Sequence, residues 1–422
     1  MLAASRPAIP AILDQHVEEA AILRNIRAAQ VTAPHVRLFQ LRRLDDRIAA
    51  HLDGLAVAGD AAMTLCEAAL ETPGIGELFA ATVRAAEAGD WACLERLIAV
   101  VLAVPESENG FISAFGWVSQ HRLRGLTVEF LAAQDPFLRR VGISTCAMHG
   151  ADPGDSLAAA ATDTDERLRA RALRAAGECG RADLLPACVQ ALDDDSALCR
   201  FRAARAAVQL GDRGEALRVL ADIARSDSPH RSLALWLFMM AAELPTTNAL
   251  LQSFAEDAAH NMRTMLIGAG IAGDPNYIPW LIDKMDDPET ARPAGEAFSL
   301  ISGLDLSYLD LDRDHPIGVR TGPSEDAEDD DIEMDPDESV PWPDAEKIRA
   351  WWDANGAGFT PGVRHFMGRP VSREHCIAVL RDGFQRQRIA AANHLLLLTP
   401  GSRLFNCAAP AWRQQSILAG LG

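Results

Sequence analysis

The chain has 422 residues, a net charge of −19 and 49% hydrophobic residues, but only 6% aromatics. That length exceeds what one compact core usually holds, so several domains or one elongated array is expected. The acidic balance excludes a chain built to neutralise phosphates, on nucleic acid or on an anionic membrane surface.

Met1 to Pro10 has no apolar segment and no cleavage site, so no signal peptide is expected there. Residues 1–59 read as an N-terminal helical cap. Ile9 to Ala29 forms one helix and Pro34 to Leu55 another, with Leu41, Leu44, Ile48, Leu52 and Leu55 on one face. A hairpin of this kind covers the first repeat of an array, whose core is otherwise exposed. His16 and His51 lie in these helices, and two histidines alone do not make a metal site. Residues 60–134 read as irregular helical repeats, with helices starting near Ile75, Trp91, Asn109 and Leu123.

Residues 135–310 keep time. Asp135, Asp165, Asp195, Asp227, Asp257 and Asp287 recur at intervals of 30, 30, 32, 30 and 30 residues. Gly150, Gly180, Gly211, Gly273 and Gly303 fall about halfway through, and Pro245 replaces a glycine in the fourth interval. A fixed period of this size marks stacked supersecondary units. The expected cause is local: each aspartate caps a helix start and each glycine ends a helix. First helices carry stripes such as Leu168, Ala172, Ala175 and Cys199, Ala203, Ala206, with spacing that puts them on one helix face. Second helices are shorter, for example Asp183 to Leu192, Glu215 to Ala224 and Ile278 to Met285.

Residues 311–340 break the pattern, and Glu325 to Glu338 holds ten acidic residues in fourteen positions. Like charges repel, so this stretch is expected to be a disordered loop, either a solvated linker or an arm that lies on a basic groove. Asp310, Asp312 and Asp314 begin like a calcium loop, but His315 and Thr321 stand where glycine and glutamate are required. Residues 341–422 form a C-terminal helical region with Trp342, Trp351, Trp352, Phe359 and Phe366, expected to pack as an aromatic-rich cap. The eight cysteines show no CxxC spacing, which suits buried thiols in a reducing cytoplasm. The longest apolar run, Leu233 to Ala242, is too short to span a bilayer.

The runs Asp165 to Gly177, Asp195 to Ala207 and Gly273 to Ile282 resemble HEAT-like repeats of the short class. The fold expected is therefore all-α, an α-solenoid of helical pairs between two distinct ends. Leu44 to Gly59, Pro341 to Pro343, Trp351-Trp352, Phe359 to Pro370 and Gly383 to Arg388 carry a wider resemblance. The whole chain is similar to an uncharacterised proteobacterial family of HEAT-like-repeat proteins, often encoded near type VI secretion genes. That resemblance implies a neighbourhood and brings no catalytic residues with it.

The expected function is a non-catalytic, cytoplasmic protein-binding scaffold, adaptor or chaperone, accessory to type VI secretion or its effectors. The alternatives are an immunity or regulatory protein that binds a toxin, and a HEAT-repeat enzyme. The sequence lacks the His-Glu pairs of a di-iron site, phosphate loops, HExxH and GxSxG, so no cofactor or metal is assigned. The candidate partner-binding residues are Arg139, Arg169, Arg171 and Arg202 on first helices, and Trp342, Trp351 and Trp352 in the tail. The arginines have two readings: a ladder paired with the aspartates, or a basic strip that grips an acidic partner. The expected partner is a protein, neither nucleic acid nor membrane.

Overall fold

The computed structural model describes residues 9–319, 321–322 and 333–421. The fold is an all-α solenoid of HEAT-like helical pairs. In chain order the helices are α1 (Pro10–Gln30), α2 (Leu38–Ala58), α3 (Asp60–Ala69), α4 (Ile75–Ala88), α5 (Trp91–Ala103), α6 (Glu108–Trp117), α7 (Gln120–Ala132), α8 (Pro136–His149), α9 (Asp155–Ala160), α10 (Glu166–Cys179) and α11 (Leu185–Gln190). They continue as α12 (Ala197–Leu210), α13 (Glu215–Arg225), α14 (Arg231–Ala241), α15 (Leu244–Phe254), α16 (Ala258–Ala272), α17 (Ile278–Asp283) and α18 (Pro288–Ser302). The last are α19 (Ala345–Asn355), α20 (Arg373–Asp382), α21 (Gln385–Leu398) and α22 (Ala411–Ala419). Strand β1 (Asp312–Arg313) pairs antiparallel with β2 (Trp342–Pro343), and β3 (His365–Phe366) with β4 (Arg369–Pro370).

The glycines end helices as the spacing predicts. Gly150, Gly180, Gly211, Gly273 and Gly303 are each the left-handed C-cap of a first helix. The residue after three of them closes the motif, with Ala151, Arg181 and Asp212 N–H groups donating back into the last turn. The aspartates are more mixed. Asp135, Asp165 and Asp287 accept from backbone N–H groups at 2.8, 2.8 and 3.0 Å. At the third beat the cap is Ser196, whose hydroxyl accepts from Cys199 N–H, and not Asp195. Asp227 precedes the capping position, which His230 takes, and Asp257 occupies its cap without a side-chain bond.

The chain divides into two compact units. The first comprises residues 1–187 with 402–422. In it α1 packs on α2 and α4, and the expected face of α2 is buried from Leu41 to Leu55. Phe111, Phe115 and Phe130 stack edge to face at 5.1 and 5.2 Å in its core. Each such ring contributes about 1.5–3 kcal/mol on burial. The C-terminal segment returns to this unit, although the sequence groups 341–422 together. The reason is a buried carboxylate: Asp45 accepts from Arg27 Nε at 2.5 Å and from Ala411 N–H at 2.6 Å. Arg27 in turn donates to the carbonyls of Ala408 and Ala409, and Trp412 meets Trp117 edge to face at 4.8 Å. His16 and His51 touch each other, with Nδ1 atoms 3.0 Å apart.

The second unit comprises residues 188–401. Here α16 packs on α18, and the loop from Phe359 to Pro370 lies across their C-terminal ends. His365 N–H donates to Gly273 O at 2.7 Å, Met367 N–H to Leu300 O at 2.7 Å and Gly368 N–H to Ile301 O at 2.9 Å. These bonds satisfy carbonyls that a helix end leaves open. Arg364 donates to the carbonyls of Met239 and Ala242. Within 311–340, the positions Glu325, Asp326, Glu328, Asp329, Asp330 and Asp331 lie outside the described residues. The described flanks are not a free linker, which corrects that expectation for them: β1 pairs with β2, and Asp344 N–H donates to Leu311 O at 2.9 Å. The carbonyls of Asp310 and Asp312 accept from Lys347 Nζ, so that turn already faces the chain's own cation.

Two histidines make each unit sensitive to acid. Burial, with Arg413 nearby, lowers His149 from 6.5 to about 4, against a hydrogen bond to Phe115 O that raises it. Burial, with Arg364 and His375 nearby, lowers His394 to about 3. Both are neutral in the fold and charged in the unfolded chain below 6.5. Their contribution is therefore complete above that value and is lost as pH falls through 6.5 toward the folded values. Urea unfolding should show stability level at neutral pH and falling by several kcal/mol between about pH 6.5 and 4. The double variant His149→Gln/His394→Gln should flatten that fall; an unchanged slope would assign it to carboxylates.

Candidate interaction surface

An arginine recurs at one place in the repeat: eleven residues before the C-cap stand Arg139, Arg169, Arg200, Arg231 and Arg292, with Met262 in that position of α16. Most of the row is turned to the array's own loops. Arg139 pairs with Asp163 at 2.7 Å, and Arg169 donates to the carbonyls of Asp163 and Thr164. Arg200 donates to the carbonyls of Asp194 and Asp195 at 2.6 and 3.0 Å. Arg231 reaches Ala224 O and the Asn261 side chain. The arginines thus tie first helices to neighbouring turns chiefly through carbonyls, and three of the six aspartates of the beat cap a helix with their side chains.

The other candidate residues also have partners inside their units. Arg171 donates to Ser144 Oγ at 2.8 Å and to Glu178 at 3.0 Å, and burial lowers its pKa. Arg202 lies over the Phe201 ring at 5.2 Å, and that ring stacks on His230. Trp342 is 7% exposed beneath the Arg292 guanidinium, 4.6 Å away. Trp351 and Trp352 converge on Phe359, and Trp351 also meets Phe298. The tryptophans therefore pack the tail against α18.

Arg292 departs from the rest of the row. It holds Asp335 with both terminal nitrogens, at 2.6 and 2.9 Å, and donates to Asp337 O. Arg263 holds the Asp337 carboxylate in the same forked way. The C-terminal end of the acidic stretch thus straps onto two guanidiniums from adjacent first helices. Burial raises the Asp335 carboxyl, but hydrogen bonds from Arg292 and Asp337 N–H outweigh this and hold it below 3.8. Its contribution is present above 3.8 and is lost as pH falls through the lower folded value. Arg292→Ala should cost about 2 kcal/mol, the scale of hydrogen bonds to a charged group. Limited proteolysis should then cut near Asp337 at least tenfold faster; an unchanged rate would show that Arg263 and β2 hold the strap alone.

A cleft opens where the beat fails. In the fourth interval α14 has 11 residues, against 14 in α12 and 15 in α16, and its C-cap is the extended Ala242 rather than a left-handed glycine. Pro245 then opens α15 at once. Beside the C-terminal end of α14, which lacks the glycine, lies a space of about 590 Å3; the helix is short at its other end, where Arg231 is its first residue. It is lined by the partly exposed Leu217, by the edges of the buried Ala221, Phe238 and Leu250, and by Arg213, Arg218, Arg225 and Glu243. Arg218 is paired with Glu215 and Asp222. Arg213 is held by Nη1 alone, on the carbonyls of Val208 at 2.6 Å and Asp212 at 2.9 Å. The sequence carries a sign of this place, the missing glycine of the fourth interval, but not its exposed arginine. In the first unit a second space of about 380 Å3 is lined by Leu131, Ile143, Ser156 and Arg139.

Among the described residues no cluster of three metal-ligating side chains occurs, and no single helix is long and apolar enough to cross a membrane. A family of HEAT repeats matches residues 154–238. No curated protein matches the chain significantly. The family match covers α10 and α12 with their second helices, the copies whose arginines bind carbonyls of the preceding turn.

Proposed function

We propose that the chain is a non-catalytic protein-binding scaffold, acting as an adaptor or chaperone. HEAT repeats generally serve protein interaction, and the observation that carries this reading is the break in the array. One repeat gives up its left-handed glycine cap, and a cleft stands open beside the extended Ala242. Repeat arrays bind through extended surfaces of this kind. The resemblance of the two ends supports a partner from type VI secretion, either an effector or a machine component. Co-expression with the products of genes beside its own tests this. The expected result is a stoichiometric complex by size exclusion with light scattering. The chain eluting alone beside every neighbour would overturn the secretion role. Rescue of growth from a toxic neighbour would reassign it as an immunity protein.

A further inference from the structure

We infer that the first unit carries a binding site for one phosphate-type dianion, held by Arg24 and Arg413 on the face of α6. This site goes beyond the scaffold reading and does not need it. Arg24 Nη2 donates to Asn109 O at 3.3 Å and to Ser113 Oγ at 3.1 Å, and Arg413 Nη1 donates to Gly116 O at 3.0 Å. Positions 109, 113 and 116 share one helix face, so the two guanidiniums stand in line along α6. The step from 113 to 116 is a rise of about 4.5 Å, which one phosphate group can bridge.

The charge at this place is not balanced. Arg27, three residues after Arg24 on α1, pairs with Asp45, and Arg42 pairs with Asp46. Arg24 and Arg413 pair with no carboxylate among the described residues, although the chain has a net charge of −19. Both are partly buried, and burial with Arg27 nearby lowers Arg24 to about 10 and lowers Arg413 as well. Arg24, Arg27 and Arg413 bring three positive charges against the one carboxylate of Asp45, which leaves two. A phosphate monoester carries about −1.5 to −2 at pH 7 and offsets them. Donors remain to hold it: Nε of Arg24, with Nε and Nη2 of Arg413, have no partner among the described residues and are open to solvent. The anchors on α6 fix both guanidiniums in advance, so less side-chain freedom is lost when the anion docks.

Titration calorimetry of the full chain with inorganic phosphate at fixed ionic strength tests this. Saturable binding at one site is expected, at least tenfold weaker in Arg24→Gln and in Arg413→Gln, which keep a polar head and remove the charge. Arg96→Gln is the control, since Arg96 is exposed in the same unit and pairs with Glu67, and its affinity should equal that of the wild type. Thermal melts without ligand confirm that the variants fold. Wild-type crystals soaked in tungstate give a second reading that needs no variant, an anomalous peak against Arg24 and Arg413. A phosphoserine peptide that binds at least tenfold tighter than phosphate would assign the group to a partner's phosphorylated side chain; equal or weaker binding would assign it to a free phosphate compound. No saturable heat with either probe, an unchanged affinity in the Arg24→Gln/Arg413→Gln double variant, or tungstate bound elsewhere would overturn the site.

Discussion

Asp45→Ala should destabilise the first unit by about 4 kcal/mol, the cost of leaving one partner of a buried ion pair alone. The Asp45 carboxylate is fully buried and serves two clients, Arg27 and the first N–H of α22. Without it, the half-enclosed Arg27 charge and the Ala411 N–H both lose their acceptor. Residues 402–421 should then detach first, because Arg27 also holds the carbonyls of Ala408 and Ala409. Urea unfolding measures the loss, and trypsin cleavage at Arg413 reports the detachment. The neighbouring Asp46→Ala is the control. Asp46 pairs with Arg42 at the surface and should cost under about 0.5 kcal/mol. Equal effects from the two would mean that the buried network does not hold the C-terminal segment.

Gly303→Ala should be nearly as damaging, through geometry alone. Gly303 has φ +77°, and an added Cβ would lie 2.5 Å from Met367 C, 2.6 Å from Met367 O and 2.9 Å from Gly368 N. All three are backbone atoms and cannot rotate away. The left-handed conformation costs roughly 1–2 kcal/mol for alanine and the overpacking about 1–3 more. The bonds from Met367 and Gly368 to the last turn of α18 should break, and their amides should exchange faster. Gly150→Ala separates the two terms. Gly150 also has positive φ, +65°, but nothing lies within 4 Å of its added Cβ. It should cost only about 1 kcal/mol. If the two variants melted together, the docking of the 359–370 loop on α18 would contribute nothing measurable.

The repeat was legible because its causes are local. A left-handed C-cap needs glycine, so Gly150 to Gly303 announce five helix ends whatever surrounds them. The apolar stripes follow from helical spacing, and α2 buries the leucines its pattern names. The arginine row was visible as a series but not as a role. Its partners are mostly carbonyls of turns such as Asp163 to Thr164 and Asp194 to Asp195, and a carbonyl leaves no side-chain signature. Trp342, Trp351 and Trp352 were visible as packing residues, but their neighbours Arg292, Phe298 and Phe359 are set by tertiary contact. The return of residues 402–421 was illegible, since Asp45 and Ala411 stand 366 positions apart and no periodicity links them. The strap was half legible: the charge of Glu325 to Glu338 is plain, but which end meets Arg263 and Arg292 depends on the fold. The cleft was marked by the glycine missing from the fourth interval.

Hydrogen exchange of the chain alone and in complex with a co-purified partner tests the scaffold claim most directly. The account predicts slowed exchange along α13 and α15, where the cleft is lined. Slowing confined to surfaces away from the repeats, or a complex whose formation leaves every repeat unchanged, would contradict it.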